Sequence, residues 1–508
     1  SGDMDVTALV KKAVDDLKLS FDAEHGGFGN APKFPSPHKL LFLLRQAQKN
    51  NDTKSLNMVE KTLDAMRAGG VFDQIGFGFH RYSTDAQWLL PHFEKMLYDQ
   101  AMLMMAYTEA YQLTGHKRHP IVLRELAAYV LRDMRDKTGG FYSAEDADSE
   151  GVEGKFYVWK TSEIEHVLGQ ESAKKAEKMF ILSKNGNFHD EATGKLTGEN
   201  IPHLSTWGNT RLDKGLESIR VALFDAREKR VRPFLDDKIL TDWNGLMVAA
   251  FAKAARALDE PTYLQAAQQC ADFLLQTMRD KQGHLLHRYR HGDAGITGHL
   301  DDYAFFTWGL IELYEASFDA KYLKAALDLN DDMRIRFASK SGGLYLTAND
   351  AEVLLVRPME AWDGALPSGN AVAASNMLRL ARMSSNSELE TAANKIFKAF
   401  SALLTQSPVG VTHLLSAQAY ATSDSIEIVF AGDKHSKQAK RMIEALNQRY
   451  LPSAVVIWRD EASMKLIPSI KMQTPINNQV TVYLCKNFQC YQPVTDSQEM
   501  LKLLQKSK

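Results

Sequence analysis

The hydrophobic residues of this chain recur with the period of an α-helix over most of its length. From about residue 4 to 406, segments with this spacing alternate with short glycine-rich turns, and strand-like alternation is scarce. Near Pro408 the pattern changes: apolar segments at 426–430, 454–458 and 480–484 are interleaved with a helical pattern at 437–450. The chain is therefore predicted to contain a helical domain, 1–407, and a small α/β domain, 408–508, with parallel strand pairing.

Six of the predicted helices are unusually apolar, and each begins at a group of polar or aromatic residues. These starts lie near His38, His92, Thr161, Asp242, Asp302 and Asn370. Six amphipathic helices lie between them, near residues 54–68, 118–136, 213–229, 260–280, 320–337 and 387–405. Because a helix that is apolar all round is a buried one, we expect six inner helices surrounded by six outer ones. The predicted fold class is mainly α, an (α/α)6 barrel with a small C-terminal α/β domain.

Parallel inner helices would bring their N-terminal ends to one end of such a barrel. Unsatisfied backbone N–H groups and the positive ends of the helix dipoles would meet there. We therefore expect a polar pocket with an aromatic rim at that end. At individual helix starts, Ser36 is predicted to cap a helix that begins at Pro37, and Ser162 and Glu165 have the spacing of a capping box.

Several long strings resemble the spermatogenesis-associated protein 20-like family, whose bacterial members are called thioredoxin-domain-containing proteins. They are GGFGNAPKFP (26–35), HRYSTD (80–85), PHFEKMLYD (91–99), GFYSAEDADSEG (140–151), DKILTDWNG (237–245) and DGALPSGN (363–370), so the resemblance covers nearly the whole chain. It implies a six-hairpin barrel similar to the N-acylglucosamine 2-epimerase superfamily and to glycosidases. The family typically has a thioredoxin-like domain ahead of the barrel, but nothing here looks like one, and Cys-x-x-Cys is absent.

The first candidate for chemistry is the group His80, Arg81, His92 and Glu94. Epimerisation of an opened sugar needs one group to remove a proton next to the carbonyl and another to return it, and histidine suits this near neutral pH. The alternative is structural, with both histidines bonded to buried backbone groups and Glu94 facing a helix dipole. With the resemblance, we predict His80, His92 and Glu94 as catalytic residues and Arg81 as a substrate-binding one.

An acidic run at 145–151 begins like a calcium-binding loop. Its twelfth place is Tyr157, where an EF-hand requires a bidentate glutamate, so the EF-hand interpretation fails. The run is either a solvated acidic turn or part of a sugar-binding rim framed by aromatic residues. The predicted site residues of this stretch are Asp146 as a catalytic group and Tyr142, Glu145 and Asp148 as substrate-binding groups.

Aspartates stand at two other helix starts, Asp242 and the pair Asp301-Asp302. Aspartate is a favoured N-cap, but one of two adjacent aspartates can cap while the other faces a pocket. Paired carboxylates would suit a glycoside hydrolase. Asp242 and Asp302 are predicted to be catalytic. The remaining predicted substrate-binding residues are polar or aromatic side chains near helix starts: Phe28, Lys33, Trp88, Trp243, Asn244, Tyr303, Trp362, Asp363, Ser368 and Asn370.

Composition argues against several classes of protein. A net charge of −2 over 508 residues provides no basic surface for nucleic acid or an anionic membrane. Without an apolar run of about 18 residues or a signal-peptide pattern, we expect a soluble, cytoplasmic protein. Three cysteines are too few for a disulfide framework or a four-cysteine zinc site and indicate a reducing compartment. Cys485 and Cys490 are expected to be buried thiols or a chance pair.

Three hypotheses for function follow. The leading one is a carbohydrate-active enzyme of the epimerase or isomerase type, acting on a sugar or sugar derivative by histidine acid–base catalysis, without a metal or other cofactor. The nearest alternative is a glycoside hydrolase with paired carboxylates. The third is a non-catalytic binding or scaffold module whose partner is a thioredoxin-like domain. None of the three involves nucleic acid or a membrane.

Overall fold

The structure is a computed structural model that describes residues 5–189, 194–208, 214–352, 355–486 and 489–506. The chain divides into two compact units. Unit 1 comprises residues 1–16, 138–140 and 240–508, and unit 2 comprises residues 17–137 and 141–239.

Helices dominate the described residues. The first eight are α1 (Val6–Ser20), α2 (Pro37–Asn50), α3 (Thr53–Ala68), α4 (Leu97–Thr114), α5 (Arg118–Asp133), α6 (Thr161–Leu168), α7 (Gln170–Met179) and α8 (Lys214–Arg227). The others are α9 (Thr241–Leu258), α10 (Pro261–Thr277), α11 (Leu300–Ser317), α12 (Ala320–Arg336), α13 (Gly369–Ser384), α14 (Ser387–Ala399), α15 (Ser401–Gln406), α16 (Thr412–Ala421), α17 (Lys437–Asn447), α18 (Glu461–Leu466) and α19 (Ser497–Lys506).

Strands are short outside the C-terminal part. The two-residue strands are β1 (Tyr82–Ser83), β2 (Pro91–His92), β3 (Lys95–Met96), β4 (Ala144–Glu145), β5 (Asp148–Ser149), β6 (Val152–Glu153), β7 (Leu235–Asp236), β8 (Ile239–Leu240) and β14 (Gln489–Cys490). The longer ones are β9 (Leu286–Arg290), β10 (Asp293–Thr297), β11 (Ile426–Ala431), β12 (Ala454–Arg459) and β13 (Thr481–Lys486).

Most of the predicted inner helices are buried, as their sequences predict. The prediction is wrong for α6, which starts at Thr161 but buries Ile164 alone, because it is a short amphipathic helix that packs against α7 and α8. In α4 every residue from Leu97 to Ala110 is buried, and in α11 the same holds from Asp302 to Glu315. In unit 2, α4 packs against α2 and α5; in unit 1, α11 packs against α9, α12 and α13. Glycine permits a close approach of α9 and α11, because a Cβ on Gly245 would lie 2.6 Å from the Cα of Phe306.

Two predicted helix starts differ in detail. Ser36 precedes α2 in a left-handed conformation, with φ 44°, and its side chain makes no capping hydrogen bond. The predicted capping box of Ser162 and Glu165 is wrong, because α6 begins at Thr161. The Glu163 carboxylate therefore accepts the hydrogen bond from the backbone N–H of Lys160.

The C-terminal part contains the predicted strands in a four-stranded sheet of order β12-β11-β13-β14. Strands β11 and β12 pair in parallel, as predicted, with Ile428 opposite Val456. The parallel prediction is wrong for β13, which pairs antiparallel with β11. The reason is that the segment between β12 and β13, which contains the short helix α18, does not bring the chain back to the end of the sheet at which β12 starts. Strand β13 therefore runs in the opposite direction to β12. Helix α16, which precedes this sheet in the chain, packs against α13, so residues after 407 also contact the helical part. The domain boundary at 407/408 stays a prediction.

Cys485 and Cys490 lie opposite each other in the β13–β14 pair and form a disulfide. The expectation of free thiols at these positions is therefore wrong, and these two cysteines do not indicate a reducing compartment. Cys270 is a buried free cysteine. None of the described helices has the length and apolar character needed to cross a bilayer.

Candidate functional site

Unit 1 brings five acid–base side chains together at the starts of α9 and α11. We call Asp242, His287, His299, Asp301 and Asp302 the histidine–aspartate cluster. The three aspartates lie in the first turns of their helices, where carboxylates face the positive end of the helix dipole. The two histidines come from β9 and from the residue before α11. A hydrogen bond of 2.6 Å from the Thr241 hydroxyl to the carbonyl of Leu286 holds β9 beside α9.

Asp302 is the centre of this cluster. Its side chain is fully buried, and its two oxygens accept hydrogen bonds from the backbone N–H groups of Asp242, at 3.0 Å, and His299, at 2.7 Å. The Nδ1 atom of His287 lies 3.0 Å from both carboxylate oxygens, and the Nδ1 atom of His299 lies 3.6 Å from one of them. Asp302 thus fixes the orientation of the His287 ring through Nδ1.

The side chains of the cluster shift one another's pKa values in different directions. Burial, with the charge of Asp302, raises the pKa of Asp242 well above its usual range and that of Asp301 to about 7. Burial alone would also raise the pKa of Asp302, but hydrogen bonds from His287 and His299 outweigh it and lower that pKa. For His287, burial lowers the pKa, yet the Asp302 hydrogen bond and neighbouring carboxylates raise it to about 9. At neutral pH the cluster therefore holds a neutral carboxyl, a carboxylate and an imidazolium.

A second ionic group lies in unit 2 around His92, which sits on β2 opposite Tyr82. The His92 Nδ1 is 2.7 Å from Glu153, and Nε2 is 3.6 Å from Glu94, which also pairs with Arg81 at 3.2 Å. Hydrogen bonds to Glu153 and Glu94 raise the pKa of His92 to about 9. The side chain of His92 is partly exposed, so it is a cation that a ligand could reach.

His80 does not join this group. It is 1% exposed, its Nδ1 lies 2.8 Å from the carbonyl of Phe93, and its ring packs edge-on against Tyr157. Burial lowers the pKa of His80 to about 3, which makes it neutral. This geometry matches the structural alternative considered for His80.

Two more predicted residues in unit 2 hold a loop together. The Lys33 side chain is fully buried, and its Nζ bonds to Asp22 at 2.5 Å and to the carbonyl of Gly26 at 2.8 Å. Trp88 is also fully buried, with its indole N–H donated to the carbonyl of His25. Phe28 is partly buried and packs against the ring of Phe21.

The acidic run is divided between the interior and the surface. Glu145 is buried and accepts hydrogen bonds from Tyr129, at 2.6 Å, and Arg232, at 2.7 Å. Asp146 and Asp148 are exposed, and an Asp146 oxygen accepts a 3.3 Å hydrogen bond from the Asp148 backbone N–H. Tyr142 donates its hydroxyl to Asp136.

The other predicted residues of unit 1 mostly bond within the fold. Asn244 and Asn370 are fully buried and bonded to the backbone of Leu240 and Leu344 respectively. Ser368 caps α13, Asp363 accepts from Thr412 and from the backbone N–H of His413, and Tyr303 donates to Asp332. Trp243 is partly buried, and Trp362 is 48% exposed. Of the predicted set in this unit, the structure thus brings Asp242 and Asp302 together in a chemical cluster.

His287, His299 and Glu153 were not predicted as site residues. The β9–β10 hairpin was also missed, although its turn, His291-Gly292, is a recognisable signal. Both turn residues have positive φ, 49° and 86°, as a two-residue hairpin loop requires. Among the described residues, two groups offer metal-donor atoms within 4.8 Å of one another: His287, His299 and Asp302, and Glu60, His116 and His119.

Comparison with solved structures defines the class of fold. The chain is similar to the cellobiose 2-epimerase of Bacillus thermoamylovorans, with a TM-score of 0.52 and 12% identity, over 78% of this chain and 88% of the enzyme. It is equally similar to a D-mannose isomerase, with a TM-score of 0.52 and 12% identity, over 82% of this chain and 96% of the isomerase. The predicted (α/α)6 barrel fold is confirmed.

The chain belongs to the spermatogenesis-associated protein 20 family. It is 34% identical to human spermatogenesis-associated protein 20 over 539 residues, which cover 96% of this chain and 68% of the human protein. It is 33% identical to an uncharacterized protein of Caenorhabditis elegans, over 100% of this chain and 75% of that protein. No family model matches the chain.

Proposed function

We propose that this chain is a sugar epimerase or isomerase whose acid–base groups are those of the histidine–aspartate cluster. The observation that supports this most is the His287 ring, which buried Asp302 holds at 3.0 Å from both of its carboxylate oxygens, next to Asp301, a second buried carboxyl whose pKa is raised to about 7. An efficient base has a pKa near the working pH, and its acid partner must stay protonated there. The barrel class, which includes a cellobiose 2-epimerase and a D-mannose isomerase, supports the choice of a sugar substrate.

In the proposed reaction, ionised Asp301 removes the proton from the carbon next to the carbonyl of an opened sugar. His287 donates its proton to the carbonyl oxygen, so the product of this step is an ene-diol. Asp301 can return that proton to the former carbonyl carbon while His287 takes up the hydroxyl proton of the other carbon, and the product is then an isomer. Protonation of the original carbon from the opposite face by the carboxyl proton of Asp242 gives an epimer, and His287 then takes back the proton that it gave to the carbonyl oxygen. Asp301 and Asp242 exchange protons with water before the next turnover. Asp302 positions His287, and neutral Asp242 donates a hydrogen bond to a sugar oxygen.

A glycoside hydrolase is the second candidate function. The observation that favours it is the presence of one neutral and one ionised carboxyl, Asp242 and Asp302, in the same cluster. Glycosidases divide the roles of acid and base or nucleophile between two such groups.

The test is proton exchange in D₂O, followed by NMR for a panel of reducing mono- and disaccharides. We expect deuterium to enter at the carbon next to the carbonyl. His287→Gln and Asp301→Asn should each slow exchange by about 100-fold or more. A matched control, His166→Gln, replaces an exposed histidine of α6 and should leave the rate unchanged.

The outcomes separate the candidates. New reducing ends without deuterium exchange would identify a glycosidase. Loss of exchange in His92→Gln but not in His287→Gln would show that the histidine–aspartate cluster is not the catalytic site. If no sugar is exchanged or cleaved, the enzyme proposal is wrong, and a non-catalytic scaffold for a thioredoxin-like partner becomes the better hypothesis.

A further inference from the structure

A second group of histidine and carboxylate side chains lies in unit 2, outside the cluster used above. Glu60 belongs to α3, His116 to the turn between α4 and α5, and His119 to the first turn of α5. The His116 Nδ1 lies 2.7 Å from one Glu60 oxygen, and the His119 Nε2 lies 2.8 Å from the other. One nitrogen of each histidine and one oxygen of Glu60 are thus within 4.8 Å of one another.

The surroundings of Glu60 hold its carboxylate in a fixed orientation. Arg118 contacts Glu60 and is also held by Asp64, through a hydrogen bond of 2.8 Å from its Nε. Carboxylates that bind metals are commonly held by such second hydrogen bonds. Arg118 contacts Oε2 of Glu60, so it can stay in place while Oε1, the oxygen next to His119, binds a cation.

The group is accessible from one side. The His119 side chain is fully buried, whereas the His116 side chain is 47% exposed. An ion can therefore reach the donor atoms past His116, and His119 and Glu60 would provide the fixed side of the site.

We propose that Glu60, His116 and His119 bind a divalent transition metal of the Zn²⁺ type. Two imidazole nitrogens and a carboxylate oxygen suit Zn²⁺, which takes them at about 2.0–2.2 Å, and a water molecule would complete a tetrahedral site. Mg²⁺ prefers oxygen ligands and should bind far more weakly. The bound ion would link α3 to the start of α5. This site does not depend on the sugar chemistry proposed above.

The experiment is calorimetric titration of the chelator-treated full chain with ZnCl₂ alone, and separately with MgCl₂. We expect Zn²⁺ to bind this site and Mg²⁺ not to. His116→Ala removes an exposed ligand with little risk to folding, and it should weaken Zn²⁺ binding roughly tenfold or more, in line with the losses found for groups around metal sites. His166→Ala is the matched control, and it should bind as the original chain does.

A further measurement makes the result decisive. At a Zn²⁺ concentration a few times the dissociation constant of the original chain, the melting temperature of the original chain and of His166→Ala should rise more than that of His116→Ala. The proposal is wrong if Zn²⁺ does not bind the original chain, or if His116→Ala and Glu60→Gln, both shown to be folded by circular dichroism, bind Zn²⁺ as tightly as it does.

Discussion

Replacing Glu312 by glutamine tests whether buried ion pairs hold α11 against α9 and α13, the helices around the histidine–aspartate cluster. Glu312 lies on α11 and is 3% exposed. Its carboxylate pairs with Arg379 of α13 at 2.7 Å, with Arg256 of α9 at 2.5 Å, and with Lys253 of α9 at 3.8 Å. Glu315, one turn further along α11, pairs with the same two arginines at 2.8 and 3.1 Å. Two carboxylates thus pair with three cations between the helices.

The expected loss follows from the charges left behind. In Glu312→Gln, Arg256 and Arg379 would share the single carboxylate of Glu315, and Lys253 would lose its pairing with Glu312. The three side chains are at most 17% exposed. Removal of one partner from a buried ionic network costs about 3–5 kcal/mol, because it leaves buried charge uncompensated. Burial would raise the pKa of Glu312, but the three cations lower it. This stabilisation is therefore complete above the unfolded pKa of about 4.5 and is lost as the pH falls below it.

The assay is urea unfolding at pH 7, with the free energy of unfolding extrapolated to water. Glu171→Gln is the control, because Glu171 forms an exposed pair with Lys175 and should cost at most about 1 kcal/mol. The double variant Glu312→Gln/Arg379→Gln should lose less than the sum of its two single variants, since it removes one charge of each sign. A loss of under about 1 kcal/mol for Glu312→Gln, or additive single losses, would refute this reasoning.

Two further predictions concern the reaction and the helix packing. Turnover should rise as Asp301 ionises through about pH 7 and fall as His287 loses its proton through about pH 9, so a profile of log kcat/KM with its maximum below pH 6 would contradict the assignment. Gly245→Ala places a Cβ 2.6 Å from the Phe306 backbone and should lower the free energy of unfolding in urea by about 1–3 kcal/mol. The control is Gly215→Ala, whose Cβ would meet nothing within 4 Å and should leave that free energy unchanged. Equal losses for the two variants would show that close packing of α9 and α11 is not the cause.

The candidate site shows how far residue type alone can be interpreted. Lys33 and Trp88 have the chemistry of a sugar site, but both are fully buried and hold a loop through hydrogen bonds to backbone carbonyls. His80 is equally suited to acid–base work by type, yet burial leaves it neutral and packed against Tyr157. A polar residue beside a glycine-rich turn can bond to backbone groups or meet a substrate, and the local sequence is the same in both cases.

Most of the helices, and the burial of those that are apolar all round, follow from the sequence itself, because the spacing of apolar residues shows which surface a helix must bury. The stretch from Leu97 to Ala110 is buried all round for this reason, and the aspartates at the starts of α9 and α11 are local helix signals. The exception is α6, which was predicted as an inner helix but buries Ile164 alone.

The chemistry of the cluster was decided only by the tertiary structure. A pKa depends on the distance between charges and on the exclusion of water, and neither quantity can be obtained from spacing along the chain. In the sequence, nothing distinguishes His287 from an ordinary polar residue of a strand. In the structure, the β9–β10 hairpin places its Nδ1 atom 3.0 Å from Asp302. Asp242 and Asp302 are 60 residues apart, and it is the packing of α9 against α11 that makes one of them neutral and the other charged.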